Sequence, residues 1–307
     1  FSGEIAAFGV KISGEAGGLQ PKFHLESPSH ASAFLGTIFS HSRLTDRIPV
    51  VIVDEFDLLR NRATFEAISN MLKQLSVDEH RLKFIFCGVA RNLDELLGSH
   101  ESVERYVYGV ELRPLSHDAL WEIISDAETE FEIRFNRGQR MRVSQISAGY
   151  AHFTHLILKN VLLQAFEAGF QERDLTDEIY KSGIHESAQQ AATRLKTAYE
   201  NATKKGTDKY IEVLWAVANS EHLDRQFKDV LADYVALMAL RKDRTGYDAG
   251  KSNGQDLRNA LNSLADRGIL LKGKTGWYQF SDPMLRSYVR MVAEREGVEL
   301  SDESFPR

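Results

Sequence analysis

The sequence predicts an α/β amino-terminal part, a parallel sheet with helices, followed by a helical region and a terminal helix–hairpin–helix unit. Three stretches carry that expectation. Ile48 to Leu59 reads I-P-V-V-I-V-D-E-F-D-L-L, a run of β-branched residues leading into two adjacent carboxylates, Asp54 and Glu55. Such a run suits a strand covered by helices on both faces. Leu82 to Val89 (L-K-F-I-F-C-G-V) repeats the pattern after a helical stretch, the spacing of a βαβ unit. Asp256 to Arg295 then reads as a helix, two short apolar strands joined by Gly273-Lys-Thr-Gly276, and a last helix.

Composition bounds the classes open to the chain. Its 307 residues suffice for two or three domains, and 43% hydrophobic with 27% charged residues is ordinary for a globular protein. A net charge of −6 leaves any nucleic-acid surface to be a local one. A single cysteine, Cys87, excludes an internal disulfide framework and a Cys-rich zinc site, and a reduced, cytoplasmic setting is expected. No apolar run approaches the roughly 18 residues that span a membrane, and no signal-peptide pattern opens the chain. The chain begins at Phe1 in mid-pattern and without Met, so a segment upstream of it is expected.

In order, residues 1 to 30 are rich in Gly and Ser, with Ile5 to Ile12 a candidate strand. Ser27-Pro-Ser-His30 starts a helix whose apolar spacing continues to Phe39. The Val50–Val53 strand follows, then a helix from about Thr64 to Leu75 with Phe65, Ile68, Met71, Leu72 and Leu75 on one face. After the second strand come a short helix from Asn92 to Leu97 and a third strand, Tyr106 to Leu112, closed by Pro114. Ser116 caps a helix from His117 to about Glu130. Helices near Arg140 to Ile146 and Tyr150 to Phe170 follow, and one polar helix is expected from about Leu175 to Lys205. Further helices cover Asp208 to Ser220 and Gln226 to Leu240, and Arg241 to Gly254 reads as a loop. Helix Asp256–Arg267, stopped at Gly268, with strands Ile269–Lys272 and Trp277–Phe280 and the helix from Pro283, makes a winged helix, a helix-turn-helix variant. These boundaries divide the chain into residues 1–114, 115–172 and 173–307.

Chemistry concentrates at Asp54 and Glu55. Ligands of open α/β sheets bind at the carboxyl ends of the strands. In P-loop nucleotide hydrolases an Asp at that place holds Mg²⁺ and the following Glu polarises the attacking water, the Walker B motif. The plainer alternative is a buried strand followed by an acidic helix cap. The chain also contains a literal G-x-x-x-x-G-K-[ST] string, Gly268 to Thr275. A phosphate loop needs a strand before it and a helix after it, so that backbone N–H groups face the phosphates. Here the string leads into Trp277-Tyr-Gln-Phe280, a strand, and its glycines serve a hairpin. The phosphate loop therefore either precedes Phe1 or never existed, and the abrupt start favours the first.

Asp54-Glu55, the strand ending in Cys87-Gly-Val-Ala-Arg-Asn92, and His100-Glu-Ser-Val-Glu-Arg105 together resemble an AAA+ P-loop ATPase. The nearest branches are the initiator-type and STAND-like signalling ATPases related to archaeal Orc1/Cdc6 proteins. The resemblance covers roughly residues 30 to 170, with the winged helix in support. It implies a partial P-loop (AAA+) parallel sheet, a helical lid and a winged-helix domain. It implies ATP and Mg²⁺ as cofactors, Asp54 as the Mg²⁺-associated carboxylate and Glu55 as the water-activating one. Asn92, or Arg91 beside it, would be the polar sensor near the γ-phosphate; a helix N-cap is the alternative role for Asn92. Arg105 stands where the family places an arginine finger, which acts only in an oligomer, so a homo-oligomer is implied. The lid's usual Arg is replaced by His152, a departure that weakens γ-phosphate sensing there. His152 and His155 lack the partners a metal site needs.

Arg258 and Arg267 on the candidate recognition helix, with Lys272 and Lys274 in the wing, form a modest basic set for DNA. Positive and negative side chains nearly balance from His185 onward, so a protein partner is equally open. The expected function is an ATPase module that switches DNA or protein engagement with its nucleotide state. A non-catalytic DNA-binding or scaffold protein on a degenerate ATPase fold is the alternative.

Overall fold

A computed structural model describes residues 27–40, 48–56, 62–77, 82–88, 107–169, 173–204, 209–245, 254–273 and 276–300. The chain divides into two units, Phe1–Leu112 and Arg113–Arg307. No helix among the described residues is long and apolar enough to cross a membrane.

In the first unit, α1 (Pro28–Ser40) begins where Ser27 Oγ accepts the His30 N–H at 3.2 Å. β1 (Val50–Val53) and β2 (Lys83–Phe86) pair in parallel, Val50 opposite Lys83 and Val53 opposite Phe86, with α2 (Arg62–Val77) between them in sequence. This is the expected βαβ order. Side chains alternate across the pair. Val51 and Phe84 face a small core of Ala31, Phe34, Met71 and Leu75 from the two helices. The other face differs from expectation: Val50, Ile52 and Ile85 are 51, 66 and 48% exposed. A β-branched run reports strand propensity, while covering the second face needs a further layer, and none exists among the described residues.

The expected third strand is also revised. Residues 107–112 make no strand pairing, and Tyr108, Val110 and Leu112 are 90, 70 and 89% exposed; only Val107 packs, beside Phe56. Alternation fixes side-chain direction, but a ladder also needs a free neighbouring edge in register. Ile5–Ile12 and the helix at Asn92–Leu97 lie outside the described residues.

Among the described residues of the second unit, one continuous core unites nine helices and a small sheet. α3 (His117–Phe131) is capped by Ser116, whose hydroxyl accepts the Ala119 N–H at 3.2 Å. α4 (Arg137–Ser147) opens with a capping box: Asn136 accepts from Gln139 N at 2.9 Å and Gln139 from Asn136 N at 3.0 Å. α5 (Ala151–Glu167) follows. The single polar helix expected over 175–205 is two, α6 (Asp177–Gln190) and α7 (Thr193–Thr203). The break at Ala191 lets both Ala191 and Leu195 enter the core, at 2 and 1% exposure. α8 (Lys209–Ala218), β3 (Arg225–Gln226), α9 (Phe227–Thr245), α10 (Gly254–Asp266), β4 (Leu270–Lys272), β5 (Trp277–Phe280) and α11 (Pro283–Arg295) complete the chain. The sheet is antiparallel in the order β3-β5-β4. Helix, hairpin and last helix thus stand in the expected order, and α9 extends the expected helix to Thr245.

α5 and α6 pack tightly at Gly183, where an added Cβ would lie 2.4 Å from Val161 Cγ2 and 2.6 Å from Val161 Cα. Backbone atoms cannot yield as a flexible side chain can. Gly183→Ala is therefore expected to force the helices apart and cost about 1–3 kcal/mol, despite alanine's better helix propensity. Urea unfolding followed by far-UV circular dichroism measures it; an unchanged or raised midpoint would contradict this packing.

Candidate nucleotide site

The carboxylate pair is built by how β1 ends. The ladder continues one step past the strands, with Cys87 N–H donating to Val53 O at 2.8 Å. The chain then swings out for two residues and returns, and Phe56 N–H donates to Cys87 O at 2.8 Å. Phe56 is 1% exposed and packs against Phe86 with ring centroids 4.6 Å apart. Between these anchors Asp54 and Glu55 are both exposed at the carboxyl end of the parallel pair. Asp54 Oδ1 accepts the Glu55 N–H at 2.8 Å, and Glu55 has φ of 52°, left-handed and unusual for a side chain of its size. The conformation costs about 1–2 kcal/mol, and such outliers gather at functional sites. The burial of Phe56 holds it in place.

This donor set suits Mg²⁺. Both side chains offer hard oxygen ligands facing solvent, and Asp54 keeps a second oxygen outside its bond to Glu55. A bound Mg²⁺–nucleotide would supply the electrophilic phosphoryl group; Asp54 would hold the ion's side of it and Glu55 would orient and deprotonate a water. Arg91, Asn92 and Arg105 lie outside the described residues, as does Lys274.

The remaining candidates belong to the second unit. His152, in the first turn of α5, is exposed, its ring edge-on to Phe153 at 5.3 Å. Among the described residues no cluster of three His, Cys, Asp or Glu could hold a metal. The basic set is largely committed to its own domain. Arg258 stacks on Phe227 with 3.9 Å from guanidinium carbon to ring centre. Arg267 donates to the carbonyls of Asn201 and Ala202 at 2.9 and 3.0 Å, closing the end of α7, and lies over Tyr210. Lys272 Nζ donates to Asn262 Oδ1 at 3.1 Å, although its side chain is otherwise exposed.

The sequence reading passed over the arginines of α11. Arg286 and Arg290 are 4 and 2% exposed in the middle of the second unit. Arg290 donates to Ala218 O at 2.8 Å, to Ser220 O at 2.7 Å and to Gln145 O. Burial, with Arg286 and Arg142 adding to it, pulls its pKa down to about 9. The sequence carries only a faint signal: Arg286 and Arg290 share one face, four apart, in a stretch whose other members are Leu285, Ser287, Tyr288, Val289, Met291 and Val292.

No protein-family model matches the sequence, and a comparison with curated proteins gives no match. Among solved structures the chain is similar to the Thermotoga maritima RuvB Holliday junction branch migration motor, at 14% identity over 90% of this chain and 76% of that one, with a TM-score of 0.43. It is similar to Cdc6p from Pyrobaculum aerophilum at 14% identity over 90 and 72% of the two chains, TM-score 0.40. Likeness to the Aeropyrum pernix ORC2 protein is 13% identity over 87 and 70%, TM-score 0.42. Similarity at this level carries no argument about activity.

Proposed function

We propose that the chain is an AAA+-like ATPase module in which Mg²⁺–ATP binding and hydrolysis at Asp54 and Glu55 switch engagement of a partner. One observation carries the reading: a strained two-residue excursion presents both carboxylates at the carboxyl end of a parallel strand pair, pinned by buried Phe56. The sequence resemblance supports it and supplies further parts: a sensor at Asn92 or Arg91, and Arg105 acting across a homo-oligomer. ATP turnover by the full-length protein tests it, with Asp54→Asn and Glu55→Gln alongside. Unchanged turnover in both variants would defeat the assignment and leave the non-catalytic scaffold.

The output partner is DNA or a protein. The intramolecular engagement of Arg258, Arg267 and Lys272 supports a protein, because each would have to give up a contact to reach phosphate. Affinity for duplex DNA across a salt series discriminates. A shallow salt dependence that Arg258→Ala and Lys272→Ala leave unchanged is expected; a steep one that falls in both variants would establish DNA instead.

A further inference from the structure

The second unit contains a cavity that two buried arginines help to line. Its volume is about 1000 Å³, and it is lined by Ser116, His117, Lys228, Trp277, Arg286 and Arg290, among others. Arg286 is the informative residue. Its Nη1 donates to the carbonyls of Ser220 and Glu221 at 3.0 and 2.6 Å, which closes the turn after α8. Its Nε is buried without a hydrogen-bond partner, and among the described residues its Nη2 has none either. Nε and Nη2 are the side-on fork of a guanidinium, the edge that takes two oxygens of one phosphate or carboxylate. A buried donor left unmade is costly; Nε is enclosed in this structure, so an oxyanion that draws the Arg286 side chain toward the cavity it lines would satisfy both donors of the fork.

The charge balance has the same sense. Among the described residues neither Arg286 nor Arg290 has an ion-pair partner, whereas the adjoining Arg225 pairs with Asp233. Burial lowers the Arg286 pKa, and nearby Arg225 adds to the lowering against the opposing pull of Tyr150 and Glu221. The carboxylates at the cavity are Glu221, held by His117 Nε2 at 3.0 Å, with Asp224 and Asp229, all exposed; Lys228 and His222 share that rim. Positive charge is therefore deep and negative charge peripheral. Desolvated guanidinium groups strengthen a bound anion's hydrogen bonds.

We propose that this cavity binds a phosphoryl group through the Nε–Nη2 fork of Arg286, with Arg290 adding its charge. The site is independent of Asp54 and Glu55. Its volume exceeds what inorganic phosphate needs, and a small phosphate monoester would fit as well.

Inorganic phosphate, ribose 5-phosphate and acetate, each titrated into the full chain at constant ionic strength, test it by calorimetry and hydrogen exchange. Phosphate is expected to bind and to slow exchange in residues 220–229 and 283–290, with acetate weaker. Arg286→Lys keeps the charge and loses the fork, and should weaken phosphate about tenfold. Asp54→Asn should leave it unchanged, which separates this site from the nucleotide site. Tighter binding of ribose 5-phosphate would identify a monoester as the ligand, and equal binding free phosphate. No binding by either phosphate, protection located elsewhere, or full affinity in Arg286→Lys would overturn the proposal. The exchange pattern of the unmodified protein decides the matter even if Arg286→Lys fails to fold.

Discussion

Glu55→Gln is expected to lower ATP turnover of the full-length protein by about 10²–10⁴-fold, the range for loss of a positioned general base. The amide is nearly isosteric with the carboxylate and Glu55 is exposed, so the fold should be unaffected and Mg²⁺–ATP binding retained. Glu55→Gly separates the structural from the chemical contribution. Glycine adopts φ of 52° without strain, so this variant should gain about 1 kcal/mol in stability while losing turnover just as fully. Steady-state phosphate release and thermal unfolding measure the two effects. If Glu55→Gln turns over ATP normally, the second carboxylate is only a loop residue. If Glu55→Gly is destabilised, the strain at this position has been misjudged.

Arg241→Ala should be the most damaging single change to the second unit. Glu212 is fully buried on α8, and Arg241 of α9 pairs with it. The same guanidinium lies 5.2 Å from the centre of the Trp215 ring, itself 1% exposed. Truncation leaves a carboxylate in the core without this counter-charge and removes a cation–π contact. Breaking a buried pair costs about 3–5 kcal/mol, a large part of the 5–15 kcal/mol that holds a typical domain. The double change Glu212→Gln with Arg241→Met should recover much of that loss, because no charge is then left buried. Chemical denaturation followed by tryptophan fluorescence measures both. A loss below about 1 kcal/mol in Arg241→Ala would mean that the pair behaves as a surface one.

What the sequence made legible was local. Ser27 and Ser116 announced their helices because capping depends on residues three apart. Val50–Val53 and Lys83–Phe86 declared themselves as strands, and the helix between them made parallel pairing the expected outcome. Asp54 and Glu55 could be placed at the carboxyl end of their strand from chain order alone. Long-range packing was not legible. The left-handed turn at Glu55 follows from Phe56 returning to the Cys87 carbonyl, a contact between separate βαβ strands. The break at Ala191 answers to the core that Ala191 and Leu195 share, against alanine's own helical preference. Helical spacing put Arg258 and Arg267 on a candidate binding helix, but the partners that engage them, Phe227 and the end of α7, come from other elements. The buried α11 arginines were hidden because polar residues in an apolar helix read as its solvent face until the carbonyls they serve are in place.

If Asp54 holds Mg²⁺ beside a bound nucleotide, ATP affinity must depend on Mg²⁺ through this carboxylate. Calorimetric titration of the full-length protein should show ATP binding that strengthens when Mg²⁺ replaces EDTA. Asp54→Asn should remove most of that strengthening while affinity in EDTA stays the same. Equal affinity with and without Mg²⁺, or a Mg²⁺ effect that survives in Asp54→Asn, would contradict the account.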